Sequence, residues 1–189
     1  MAKILIAYDT TEGQTRKIAQ SVGDSVRRGG HDAQVVDIRR PPSGFALDAF
    51  DAIVVGASIH LGKHSRRLLK FVRRHQVRLK AVPSAFFSVS LSAAGSDKEK
   101  ADAKRFVEEF VQQADWSPTV KATFAGGLRY REYGVLKRWM MKKIAKAGGK
   151  DTDASKNHEY TDWTAVEQFV RSFLAGLEPR QTEKGDSKL

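Results

Sequence analysis

The chain has 189 residues, a length suited to one α/β domain, and its hydrophobic share of 41% is ordinary for a globular protein. It holds no cysteine, which excludes disulfides, thiol nucleophiles, Cys-ligated metals and iron–sulfur clusters and fits a reducing compartment. Its 33 Lys and Arg against 22 Asp and Glu give a net charge of +11, which favours anionic partners (nucleic acid, anionic lipid or acidic small molecules) unless it is an inert basic surface.

Met1 leads directly into an apolar run, without the charged and apolar regions of a secretory leader, and no window approaches about eighteen apolar residues, so no spanning helix is expected. Lys3 to Tyr8 reads as a first strand. Gln14 to Arg28 carries Ile18, Val22 and Val26 on one helix face, and Gly29-Gly30 stops it. Ala33 to Ile38 is a second strand, followed by a Pro41-Pro42-Ser43-Gly44 loop. Ala52 to Ala57 is a third strand, apolar on both faces as a covered parallel strand should be. Ser65 to Lys80 reads as one basic helix with Leu68, Val72 and Leu79 inward. Ser84 to Leu91 is a fourth strand. Asp97 to Ala114 is a helix with Phe106, Val107, Phe110 and Val111 inward. Thr119 to Ala125 is a fifth strand, and Trp163 to Ala175 a last helix burying Val166, Phe169, Val170 and Phe173.

Strands alternate with helices, so the expected fold class is α/β, a doubly wound, five-stranded parallel sheet of order 2-1-3-4-5. About 37 residues, Gly126 to Asp162, separate the fifth strand from the last helix, and this long basic segment is read as an insertion. The expected organisation is a single domain over 1–177 with a polar, disordered tail at 178–189.

Asp9-Thr10-Thr11-Glu12-Gly13-Gln14-Thr15 joins the first strand to the first helix. Hydroxyls of Thr10, Thr11 and Thr15, backbone N–H groups around Gly13 and the helix N-terminus can together surround a phosphate. The turn has no Lys or Arg and no G-x-G-x-x-G spacing, so it is neither a Walker loop nor a dinucleotide site. An ordinary Thr cap with a glycine turn is the other reading. Two loops should leave the carboxyl ends of strands three and four beside it, Ser58-Ile59-His60-Leu61-Gly62 and Ser90 to Gly95. Their small residues and amides suit a flavin ring, which with the strand order points to FMN. His60 stacks on the ring or transfers protons, or is a plain loop histidine. His64 and His75 read as exposed polar residues on a basic helix. No metal site is expected.

These segments resemble the flavodoxin-like fold, and more narrowly the short FMN-dependent, quinone-linked protoporphyrinogen dehydrogenases of bacteria. The matching stretches are EGQTRKIA (Glu12 to Ala19), VVGASIHLGKH (Val54 to His64), PSAFFSVSL (Pro83 to Leu91), GGLRYREY (Gly126 to Tyr133) and YTDW (Tyr160 to Trp163). They run in family order up to about Ala175, and the LRY and YTDW segments are the specific ones. The resemblance implies that FMN is held by Thr10, Thr11, Glu12, Gly13, Gln14 and Thr15. It implies ring contacts from Ser58, Ile59, His60, Leu61 and Gly62, from Ser88, Val89, Ser90, Leu91 and Ser92, and from Gly126 and Gly127. It implies oxidation of protoporphyrinogen IX to protoporphyrin IX in haem synthesis, with electrons passing to menaquinone or ubiquinone. The flavin supplies the chemistry, and no catalytic side chain is assigned.

The chain departs from ordinary flavodoxins in being basic and in offering no Trp, Tyr or Phe from Ser90 to Gly95, which leaves room for a flat substrate unless Tyr130 or Tyr133 covers the ring. Arg129, Tyr130 and Arg131 are candidate substrate residues, the arginines suiting the propionates. From Gly126 to Lys150 there are eight basic residues against one acid, and Leu136, Trp139, Met140 and Ile144 recur at helical spacing. A basic amphipathic helix over 134–150 suits peripheral contact with an anionic membrane, or docks on the domain. The expected location is the cytoplasm, against the inner face of the cell membrane. An NAD(P)H:quinone reductase of flavodoxin type and a non-catalytic electron carrier are the alternatives. Nucleic acid is not an expected partner, because no recognition motif accompanies the charge.

Overall fold

The computed structural model describes residues 1–60, 62–128 and 158–177. Leu61, 129–157 and 178–189, with the predicted 134–150 helix and the predicted tail, lie outside the described residues.

The strands are β1 (Lys3–Asp9), β2 (Asp32–Asp37), β3 (Ala52–Ser58), β4 (Ser84–Ser90) and β5 (Val120–Ala125). They form one parallel sheet in the order β2-β1-β3-β4-β5. β1 is an interior strand, apolar on both faces. Ile4, Ile6 and Tyr8 enter one core layer with Ile18, Val22 and Val26 of α1 (Gln14–Arg28). Leu5 and Ala7 enter the other. The first layer is closed by a helix near the C-terminus, Trp163–Ala175, through Val166, Phe169, Val170 and Phe173. The second is closed by α2 (Arg66–Arg74), α3 (Gln76–Ala81) and α4 (Asp97–Gln113). The Trp163–Ala175 helix is α5 below. Every predicted strand and the predicted strand order are present.

Close packing of the central strands depends on Gly56 in β3. A Cβ there would lie 2.0 Å from the Phe87 ring carbon Cζ, so only glycine lets the β4 side chain cross the face of β3.

Two local expectations are corrected. The helix predicted over Ser65 to Lys80 is two helices broken at His75, whose φ of −108° and ψ of 16° leave the helical region. The break is held by Gln76, whose Nε2 donates to the carbonyl of Asp115 at 2.6 Å and to its carboxylate at 2.7 Å. Ser65 is not inside the helix but caps it, accepting from the Leu68 N–H at 3.0 Å. Phe106, expected inward, is half-buried and lies against Gly62.

The long segment after β5 leaves and returns at one place. β6 (Gly127–Leu128) pairs antiparallel with β7 (His158–Glu159), Gly127 opposite Glu159 and Leu128 opposite His158. The two ends of the long segment between β5 and α5 are therefore held side by side.

Candidate functional site

β1 ends at Asp9 and the chain turns. The Gly13 N–H donates to Thr10 Oγ1 at 3.0 Å, closing the turn, and Gly13 enters α1 with φ of 87°, a left-handed conformation that favours glycine. Gly13 gives α1 no side-chain cap, and the first turn carries no acid. Thr10, Gln14 and Thr15 are buried, Thr11 is exposed, and Glu12 and Gly13 are half-buried. Backbone donors at a positive helix end, joined by threonine hydroxyls, fit a phosphate monoester.

The next two strand ends stand beside this turn. The register pairs Asp9 of β1 with Ala57 of β3, and Ser58 of β3 with Val89 of β4. After Ser58 the Ile59 N–H donates to the Val89 carbonyl at 2.9 Å. His60 and Lys63 then exchange backbone hydrogen bonds at 2.9 and 3.1 Å around Gly62, whose φ is 75°. His60 is exposed, with its Nε2 3.4 Å from Ser58 Oγ. Beyond β4, Ser90 Oγ accepts from the Ala93 N–H at 3.3 Å, which shapes the Leu91–Gly95 loop, and Leu91 and Ser92 are half-buried. The Ser88 and Val89 side chains are engaged inside, Ser88 with His64 and Val89 in the core, so they offer a ligand only backbone groups.

A third group closes the site from the base of the insertion. The Gly126 N–H donates to the Ser90 carbonyl at 3.0 Å, and the Tyr160 N–H donates to the Gly126 carbonyl at 3.1 Å. Thr161 Oγ1 donates to the Ala125 carbonyl at 2.8 Å and accepts from Gln14 Nε2 at 2.9 Å. Lys17 of α1 pairs with Glu159 of β7. The segment from Glu159 to Thr161 is thereby fastened to the start of α1. Arg129, Tyr130 and Arg131 lie outside the described residues.

The expectation that His64 is exposed is overturned. It precedes α2, its Nε2 sits 2.9 Å from Ser88 Oγ, and its ring packs on Phe110 at 4.8 Å and Phe86 at 5.4 Å. Burial lowers its pKa to about 4, so the imidazole is neutral near pH 7. His75 is likewise half-buried, packed on Phe71 at 4.9 Å, and burial with the nearby Arg74 charge lowers its pKa. The aromatic residues that bury His64 come from β4 and α4, far along the chain, and its basic neighbours hide the fact.

Sequence reasoning also missed a charged cluster at the end of β1. Asp9 is buried; it accepts a short hydrogen bond from Ser65 Oγ and faces Arg67 and Arg39. Arg39 is gripped by Asp37. Burial pushes the Asp37 carboxyl up, but the Arg39 hydrogen bonds and charge outweigh it and hold the group below the usual range. The same bonds raise the Arg39 guanidinium. One signal was available for two of them: Asp9 and Arg39 each directly follow the carboxyl end of a predicted strand, whereas Arg67 lies in the first turn of α2.

Among the described residues no group of three or more His, Cys, Asp or Glu side chains suits a metal ion, and no helix is long and apolar enough to cross a membrane.

Comparison with known proteins matches this geometry. Residues 5–155 match the Flavodoxin domain family. The protoporphyrinogen IX dehydrogenase (quinone) of Escherichia coli strain K12 is 36% identical over 182 residues, covering 96% of this chain and 99% of that protein. The protein of the same name from Leishmania major is 37% identical over 177 residues, covering 92% of this chain and 75% of its own length. Among solved structures, oxidised flavodoxin 1 from Bacillus cereus superposes with a TM-score of 0.58 at 17% identity, over 93% of this chain and 99% of that one. An archaeal flavodoxin gives 0.53 at 18%, over 93% and 98%. The structural likenesses carry the fold, the sequence likenesses carry more, and the chain belongs to the flavodoxin-domain family and, within it, to the protoporphyrinogen IX dehydrogenase (quinone) proteins.

Proposed function

We propose that the chain is an FMN-dependent dehydrogenase that oxidises protoporphyrinogen IX to protoporphyrin IX and passes the electrons to a membrane quinone, menaquinone or ubiquinone. The observation that carries this reading is the convergence of an uncapped helix start, two short-residue loops and the base of the insertion at adjacent strand ends, in a chain related over nearly its whole length to proteins of that name.

In this reading Thr10, Thr11, Thr15 and the N–H groups from Glu12 to Thr15 hold the FMN phosphate. Backbone groups of Ser58 to Gly62, Ser88 to Ser92 and Gly126-Gly127 line the ring. FMN, when bound, supplies the redox chemistry, and the chain supplies position and polarity. Ser90 and Gly126 fix the loop after β4 against β5, and Gln14 and Thr161 fix the phosphate turn against the insertion, so the two ends of the cofactor are held in one frame. Arg129, Tyr130 and Arg131 are proposed to meet the substrate. The segment 134–150 is proposed to rest on the anionic inner face of the cell membrane, where quinone is available.

The test is to reconstitute the purified protein with FMN and follow porphyrin fluorescence from protoporphyrinogen IX with and without a quinone analogue. Quinone-dependent appearance of porphyrin is expected. Absence of turnover with a stable one-electron reduced flavin would instead mark an electron carrier, and rapid flavin bleaching by NADPH a quinone reductase.

A further inference from the structure

Three arginines from three elements meet where β1 ends. Arg39, just beyond β2, is clamped by Asp37, Nε to Oδ1 at 3.0 Å and Nη2 to Oδ2 at 2.7 Å. Arg67, in the first turn of α2, directs Nη1 to Asp9 Oδ1 at 3.5 Å, and Arg39 Nε approaches the same oxygen at 4.0 Å. Arg16 of α1 donates Nε to the Tyr8 hydroxyl at 3.1 Å. The acids lie underneath: the Asp9 and Asp37 side chains are 8% and 14% exposed, against 37% for Arg39 and 59% for Arg67. An approaching ligand therefore meets guanidinium, not carboxylate.

The arrangement exceeds what neutralising two carboxylates requires. A guanidinium carries five N–H donors. Among the described residues Arg39 keeps Nη1 uncommitted after its pairing with Asp37, and Arg67 makes a single long ion pair. Two guanidinium groups from different parts of the chain approach one carboxylate oxygen, at 3.5 and 4.0 Å, and so are held near each other. That spacing suits one ligand bearing two carboxylates. The pair also lies beside the cofactor turn, since Asp9 directly precedes Thr10.

We propose that Arg39 and Arg67 recognise the two propionate groups of the tetrapyrrole substrate and orient it at the site, with Arg16 adding positive charge beside them. This rests on the reading of the chain as a protoporphyrinogen dehydrogenase. Bidentate guanidinium–carboxylate pairing supplies both the affinity and the direction. The arginines are positioning residues and take no part in the electron transfer.

The experiment uses the full chain reconstituted with FMN and compares protoporphyrinogen IX with its dimethyl ester. The wild type is expected to favour the free acid. In the Arg39→Gln/Arg67→Gln double variant the KM for the acid should rise about tenfold or more, while FMN affinity and the KM for the ester stay unchanged, so the preference collapses. Arg67→Lys, which keeps the charge and loses the fork, should fall between. Arg74→Gln, farther along α2, should leave the preference intact. The same question is put without turnover by titrating the proteins with protoporphyrin IX and its dimethyl ester. If the wild type oxidises neither tetrapyrrole yet binds the diacid through Arg39 and Arg67, the dehydrogenase reading fails and the recognition pair stands. An unchanged acid-over-ester preference in the double variant, a loss of FMN affinity, or an equal effect from Arg74→Gln overturns it.

Discussion

His64 Nε2 and Ser88 Oγ lie 2.9 Å apart, so the segment leaving β3 is tied by a side-chain bond to the end of β4. The bond joins the two strand ends from which the proposed ring loops emerge. Phe110 and Phe86 enclose the imidazole and keep it neutral, its pKa lowered by burial from 6.5 to about 4. The unfolded chain binds a proton there at higher pH than the folded chain does. The resulting penalty is absent above pH 6.5, grows as pH falls through the window down to about 4, and is constant below it. His64→Gln should remove roughly 2–3 kcal/mol of that pH dependence, seen as a smaller fall in urea stability between pH 7 and pH 4 than the wild type shows. Parallel curves for the two proteins would refute the assignment.

Gln14 and Thr161 act as a unit, because the Thr161 hydroxyl accepts from Gln14 and donates to the Ala125 carbonyl. Gln14→Ala and Thr161→Val should each cost about 1–2 kcal/mol in denaturant unfolding, since each leaves polar groups with a lost partner. Their effects should fall short of additivity by about 0.5 kcal/mol or more in a double-mutant cycle. FMN affinity should weaken in both single variants, through the helix start that Gln14 forms.

Gly56→Ala tests the packing beneath the site. The added methyl would overlap the Phe87 ring, with backbone on one side and the core on the other, so neither residue has an easy escape. A loss of about 1–3 kcal/mol is expected from calorimetric or urea unfolding. The double variant Gly56→Ala/Phe87→Leu should recover part of it.

The fold was readable because its signals are local and repeat. Ile4 to Tyr8 alternates between two buried layers, and Ile18, Val22 and Val26 sit four residues apart on one face of α1. The glycine turn between β1 and α1 was readable for the same reason, being one contiguous stretch from Asp9 to Thr15. The break at His75 was not, since the helix pattern runs through it and the cause is Gln76 reaching for Asp115 across 39 positions. His64 with Ser88, Gln14 with Thr161, and Arg39 with Asp9 and Arg67 are separated pairs that only the strand order brings together. Their partners are set by topology, so composition and spacing around each residue say little about them.

The base of the insertion makes one further experiment clean. Gly127 pairs with Glu159 and Leu128 with His158, and Tyr160 and Thr161 bond back to Gly126 and Ala125. Removing Gly134 to Lys150 leaves all of these bonded residues in place, with 129–133 and 151–157 still available to join the two strands of the ribbon. FMN affinity should therefore change by less than about twofold, because the proposed phosphate turn and the proposed ring loops lie outside the deletion. The deletion removes Lys137, Arg138, Lys142, Lys143, Lys146 and Lys150 together with Trp139, the charge and aromatic residues that suit an anionic lipid surface. Sedimentation with anionic liposomes should be abolished while turnover with a water-soluble quinone analogue persists. Raising the salt should release the wild type progressively, as screening weakens contact with the headgroups. Unchanged sedimentation of the deletion variant would sink the membrane role of this segment and leave the FMN site untouched.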